Sequence, residues 1–150
     1  ISAGAPQEYT DKISDYAFHL GLAFQMRDDI FDYSPKMDTG KLAGADIKER
    51  KITLPLLCAM EAAPEKGEHI RKLIDGIENT VTKGETITES DALIIGKVNE
   101  FINEYDGITK AQQILEEHIA IAIESISTLP ESRAKQRLVE LAEYVGKRNS

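Results

Sequence analysis

The sequence predicts an all-α fold. No segment of its 150 residues sustains a period-two alternation, and no Asn-Gly hairpin signal appears. Apolar residues recur instead at helical spacing, as in Ile114, Leu115, Ile119, Ile121, Ala122 and Ile126. Pro and Gly punctuate the chain at helix-length intervals.

Each element follows from local signals. The first helix is expected over about 11–33, with Thr10 as N-cap and Asp11 at the positive end of the helix dipole. Ser34-Pro35 stops it, because the residue before Pro avoids the helical region. A polar loop, 34–52, carries Gly40, Lys41, Gly44 and Lys51, with a partial turn over Asp46 to Arg50. Helices fill the remainder, 53–148. One starts at Thr53, with Pro55 in a first turn where its missing N–H costs little, and ends near Ala63-Pro64. The next runs from Glu65 to Asp75 and stops at Gly76. A loop over Glu78 to Ile87 precedes a helix from Thr88 that stops at Asp106-Gly107. Ala111 to Thr128 is strongly helical, Leu129-Pro130 breaks it, and Leu138, Leu141, Ala142 and Val145 mark the stripe of a last helix.

Composition narrows the function. At 41% apolar and 29% charged, the chain fits a single globular domain, 1–150. The formal net charge of −8 argues against nucleic acid and anionic membranes, which want a basic surface. No apolar run approaches the roughly 18 residues of a membrane span. No signal-peptide pattern opens the chain, so a cytoplasmic location is expected. Cys58, the one cysteine, excludes an internal disulfide and a Cys-rich zinc site and reads as a buried thiol. His19 reads as packed or surface, and His69 and His118 as exposed.

One segment departs from ordinary patterning: Gly21-Leu22-Ala23-Phe24-Gln25-Met26-Arg27-Asp28-Asp29-Ile30-Phe31-Asp32. On a helical wheel Asp28 and Asp32 lie about 40° apart, and Gln25 and Asp29 complete an arc of roughly 100°. Gly21 and Phe18 lie on the same face, one and two turns earlier. Three crowded carboxylates resist full ionisation, and the negative C-terminal end of a helix disfavours them further. A divalent cation removes that penalty, and oxygen ligands with retained waters suit Mg²⁺ bridging to phosphates. Spacing by itself favours a solvated acidic patch, because the motif is short and the chain acidic. Lys41 and Lys51 flank the helix, and carboxylates, metal and lysines together would make a diphosphate site.

The motifs Phe24-Gln25-x-x-Asp28-Asp29-x-x-Asp32, Gly40-Lys41-x-x-Gly44-x-Asp46 and Lys51-x-Thr53-Leu54-Pro55 resemble the second aspartate-rich region of the trans-isoprenyl diphosphate synthases, or polyprenyl synthetases. Tyr144-Val145-x-x-Arg148 is similar to that family's C-terminal helix. The resemblance implies the C-terminal half of a helical bundle of the isoprenoid synthase type. A first aspartate motif and the isopentenyl diphosphate site lie upstream in such enzymes, about 130 residues before Asp28 for the motif.

The implied activity is condensation of an allylic diphosphate with isopentenyl diphosphate, releasing pyrophosphate, with Mg²⁺ as cofactor. Carried over by residue, Asp28 is a direct Mg²⁺ ligand, and Asp29 and Asp32 bind it directly or through water. Gln25 hydrogen-bonds near the reacting end, and Lys41 and Lys51 bind the allylic diphosphate. Asp28, Lys41 and Gln25 form the implied catalytic set. Phe24 is expected in the core, and Asp46 either orients a lysine or caps a turn. The full-length enzyme is expected to be a homodimer and the 150 residues alone inactive, with the cavity-facing side of the first helix left open. Two other readings remain: a non-catalytic subunit or relative of the same helical fold, and a metal-free helical interaction domain.

Overall fold

The structure, a computed structural model, describes residues 6–33, 45–77 and 89–147. Among these, every regular element is helical. The order is α1 (Gln7–Tyr33), α2 (Ala45–Lys48), α3 (Leu54–Ala62), α4 (Pro64–Asp75), α5 (Glu89–Glu104), α6 (Gly107–Ile126) and α7 (Arg133–Lys147). No helix of the described residues is long and apolar enough to cross a membrane. The loop expected over Glu78 to Ile87 and the helix start expected at Thr88 lie outside the described residues.

Helix α1 starts about a turn earlier than Thr10 would set it. Tyr9 and Thr10 donate their amides to the Pro6 carbonyl at 3.0 and 3.2 Å. Spaced i,i+4 pairs then hold the extra turn, Gln7 to Asp11 at 2.8 Å and Lys12 to Glu8 at 2.7 Å. Prolines set the α3–α4 corner as expected. Ala63, at φ −141°, ends α3, and Pro64 opens α4. Thr53 precedes α3 with extended backbone and makes no cap of its own; its hydroxyl donates instead to Tyr33 Oη at 3.0 Å. Ser132 does cap α7, accepting the Lys135 amide at 3.1 Å.

The α5–α6 junction differs from its sequence reading. Asp106 adopts the left-handed conformation, at φ 54°. Gly107 is already the first residue of α6, four residues before the expected start. It sits where its backbone meets the Pro55 carbonyl too closely for any side chain.

Two compact units arise from this chain path. One comprises the chain up to Asp28 together with that from Gln112 onward; the other is Asp29–Ala111. In the first, Tyr16, Ala23, Leu115, Ile119, Ala122, Ile126, Ala142 and Val145 are buried. Tyr16 Oη donates to the Leu138 carbonyl at 2.5 Å, tying α1 to α7. In the second, Leu56, Ala59, Ile70, Ile74, Ile77, Val98, Phe101 and Ile102 form one core with Tyr33 and Ile47. Cys58 is buried, as expected. Leu141 and Ile121 lie on apolar helix stripes yet are about half exposed.

Candidate functional site

Helix α1 carries the acidic segment in its last turns, and its periodicity sorts the carboxylates by environment. Asp28 and Gln25 are exposed, Asp29 is half-buried, and Asp32 is buried at 7% exposure. Phe24 lies about 40° from Asp28 around the helix and is 47% exposed, not packed in the core. Phe18 and Ile13 are likewise exposed, and Gly21 has open space beside it. Phe18, Gly21 and Phe24 thus leave part of the α1 surface open.

Asp32 has a task of its own in the Asp29–Ala111 unit. Its Oδ2 accepts the Asp46 amide at 3.2 Å, so it holds the start of α2. Asp46 is therefore the capped residue, which neither reading of it anticipated. Around this contact the unit gathers like charges. Burial raises the Tyr33 phenol well above its ordinary range; the Thr53 hydroxyl opposes this, and the Asp32, Asp46 and Asp29 carboxylates add to it. Lys51 is exposed, with its Nζ 2.6 Å from Glu49 Oε2. That hydrogen bond and the Glu49 charge raise its pKa, with smaller contributions from Asp46 and Asp29. An exposed pair of this kind is weakly held, so the ammonium is available to an incoming anion. Lys41 lies outside the described residues. Arg50, left-handed at φ 61°, donates from Nε to the Ile77 carbonyl at 3.0 Å and joins the turn after α2 to the chain beyond α4.

Two features escaped the sequence reading. Arg27 is 5% exposed and spends its guanidinium on α6 and α7. Its Nη1 donates to Gln112 Oε1 at 2.8 Å, its Nε to the Val145 carbonyl at 3.3 Å, and its Nη2 to the Gly146 carbonyl. Burial lowers its pKa and the Glu116 charge opposes that. The signal was present: Arg27 interrupts the stripe Tyr16, Leu20, Ala23, Ile30 at helical spacing. His118, expected exposed, is half-buried with its Nδ1 2.9 Å from His19 Nδ1. Nothing local marks that pair, whose members lie on different helices.

The family model for polyprenyl synthetases matches residues 1–90, more than half of the chain. The chain belongs to the polyprenyl synthetase family. A prenyl transferase of Synechocystis is 32% identical over 97% of this chain and 41% of that protein. A geranylgeranyl pyrophosphate synthase of Lactobacillus brevis shares 30% identity with a TM-score of 0.76, covering 97% of this chain and 42% of that one. A Caulobacter crescentus polyprenyl synthase, solved with calcium and isoprenyl diphosphate, shares 28% identity with a TM-score of 0.76, covering 99% and 43%. The chain thus spans about two-fifths of the length of these relatives.

The family implies a divalent cation, and the donor set on α1 bears on whether one fits. Among the described residues, no group of three His, Cys, Asp or Glu side chains is arranged to hold a metal ion. Mg²⁺ does not need such a cage. It commonly takes one or two carboxylates, keeps several waters, and completes its shell with substrate phosphates. Exposed Asp28 and half-buried Asp29, all-oxygen donors on one helix turn of a polyprenyl synthetase, suit that mode.

Proposed function

We propose that this chain is the part of a prenyl diphosphate synthase that holds the diphosphate of an allylic substrate through its second aspartate-rich motif. What carries the reading is the turn of α1 that bears exposed Asp28 and half-buried Asp29 in a member of this family. In the proposed reaction the allylic C–O bond ionises, the double bond of isopentenyl diphosphate attacks the cation, and a proton leaves. Catalysis is charge stabilisation on the departing pyrophosphate, with no protein nucleophile. Mg²⁺, when bound, supplies most of that neutralisation.

Asp28 ligates the cation directly. Asp29 and Asp32 act directly or through a bound water, with Asp32 pre-oriented by the Asp46 amide. Gln25, exposed on the same arc as Asp28, hydrogen-bonds near the reacting end. Lys51 exchanges Glu49 for a diphosphate oxygen, and Lys41 contributes a second cation. The Caulobacter relative's calcium and isoprenyl diphosphate support this chemistry. The active assembly is read as a homodimer.

Calorimetry with inorganic pyrophosphate tests the site. Binding is expected only with Mg²⁺ present, and Asp28→Ala is expected to abolish it. Equal binding with and without Mg²⁺, or by Asp28→Ala, overturns the proposal. Turnover of allylic and isopentenyl diphosphates by the full-length gene product tests the reaction.

A further inference from the structure

The guanidinium of Arg27 does something that its place in an acidic motif does not require. It is buried, and it turns away from the Asp28–Asp32 arc toward the C-terminal end of α7. The last carbonyls of a helix lack intrahelical partners and carry its negative dipole end. Val145 and Gly146 supply two of these, and both are taken by Arg27. Gln112 of α6 takes Nη1 and passes the chain on, donating from Nε2 to Glu116 Oε1 at 3.0 Å. One side chain therefore binds three acceptors on two helices, all within one compact unit. Charge-assisted bonds to fixed backbone acceptors resist rotation of the helix that donates them.

Asp28 is the next residue. With the helical wheel fixed at Arg27, the direction in which Asp28 leaves α1 is fixed as well, about 100° away. We propose that Arg27 is a positioning residue for the diphosphate site, locking the α1 turn that presents Asp28 by clamping the C-terminal end of α7. This rests on the reading of Asp28 as a cation ligand. Ligand groups need their direction held to a fraction of an ångström, so slack at Arg27 costs affinity without removing any ligand.

The test uses the full chain with Arg27→Met, Arg27→Lys and Gln112→Met. Two readouts are taken: Mg²⁺-dependent binding of inorganic pyrophosphate, and amide exchange in the last turn of α7. Arg27→Met is expected to weaken pyrophosphate binding about tenfold and to speed that exchange about tenfold. Arg27→Lys keeps the charge but not the fork, and is expected to rescue neither fully. Gln112→Met, which leaves the α7 contacts in place, keeps the fold if Arg27→Met does not, and is expected to weaken binding about threefold. Asp28→Ala is expected to abolish binding with exchange unchanged. Faster exchange with binding within twofold of wild type makes Arg27 merely structural and overturns the proposal. So does unchanged exchange in Arg27→Met, and so does unchanged binding in Gln112→Met where Arg27→Met fails to fold. Wild type that binds no pyrophosphate is a separate failure, of the Asp28 reading, and takes the positioning role with it.

Discussion

Gly107→Ala should destabilise the protein although it places alanine in a helix. An alanine Cβ built at Gly107 lies 2.3 Å from the Pro55 carbonyl oxygen, 3.2 Å from the Pro55 carbonyl carbon and 3.1 Å from Ile102 Cγ2. Comfortable carbon–oxygen contact begins near 3.3 Å, so the start of α6 and the first turn of α3 must separate by about 1 Å. The obstacle is backbone, which has no rotamer to change. Forced separation of packed elements costs about 1–3 kcal/mol. Alanine's advantage over glycine, about 1 kcal/mol inside a helix, is smaller at a first residue. The net loss is therefore about 1–2 kcal/mol. With a urea slope of about 2 kcal/mol/M, the unfolding midpoint falls by roughly 0.5–1 M. Gly96→Ala is the control: Gly96 is exposed within α5, and nothing lies within 4 Å of its added Cβ. That variant should gain about 0.5–1 kcal/mol. A Gly107→Ala midpoint at or above wild type refutes the close-approach reasoning.

Three further outcomes follow from the same structure. Ile74→Ala, at a side chain 1% exposed in the core of the Asp29–Ala111 unit, should cost about 2–5 kcal/mol in urea unfolding, whereas Leu93→Ala, 68% exposed, should be near neutral. Asp32→Ala removes the acceptor of the Asp46 amide and should cost about 1 kcal/mol, while Asp32→Asn, which keeps an acceptor oxygen, should cost less; equal midpoints would count against the capping role. The Tyr33 phenol has a raised pKa because it is buried, so the folded chain holds a proton that the unfolded chain releases near pH 10. Stability is then complete below about pH 10 and falls as pH rises beyond it. Urea midpoints from pH 8 to 11 should drop less for Tyr33→Phe than for wild type, and parallel curves would remove Tyr33 from the account.

The candidate site was legible to different depths. That Gln25 and Asp28 stand together on one exposed stretch of α1 was readable, because helical periodicity and motif spacing are local properties. Lys51 was readable as a nearby cation, but its pairing with Glu49 was not, since an exposed side chain chooses among several neighbours. Asp32 looked equivalent to Asp28 on spacing, yet burial against α2 gives it a second partner. Residue type puts Phe24 in the core, but it is 47% exposed in the structure.

The sequence by itself determined the all-α class, the corner at Ala63-Pro64, the acidic turn of α1 and the family motifs. Each depends on residues within a few positions of one another, where backbone sterics and helical spacing decide. Tertiary structure decided what Arg27 and Gly107 are for. Arg27 bonds to Gln112, 85 residues away, and to Gly146, 119 away. Gly107 marks no left-handed turn, which falls on Asp106, but a close approach to Pro55. A side chain's partners across such separations exist only once the helices are packed, so no local pattern can state them.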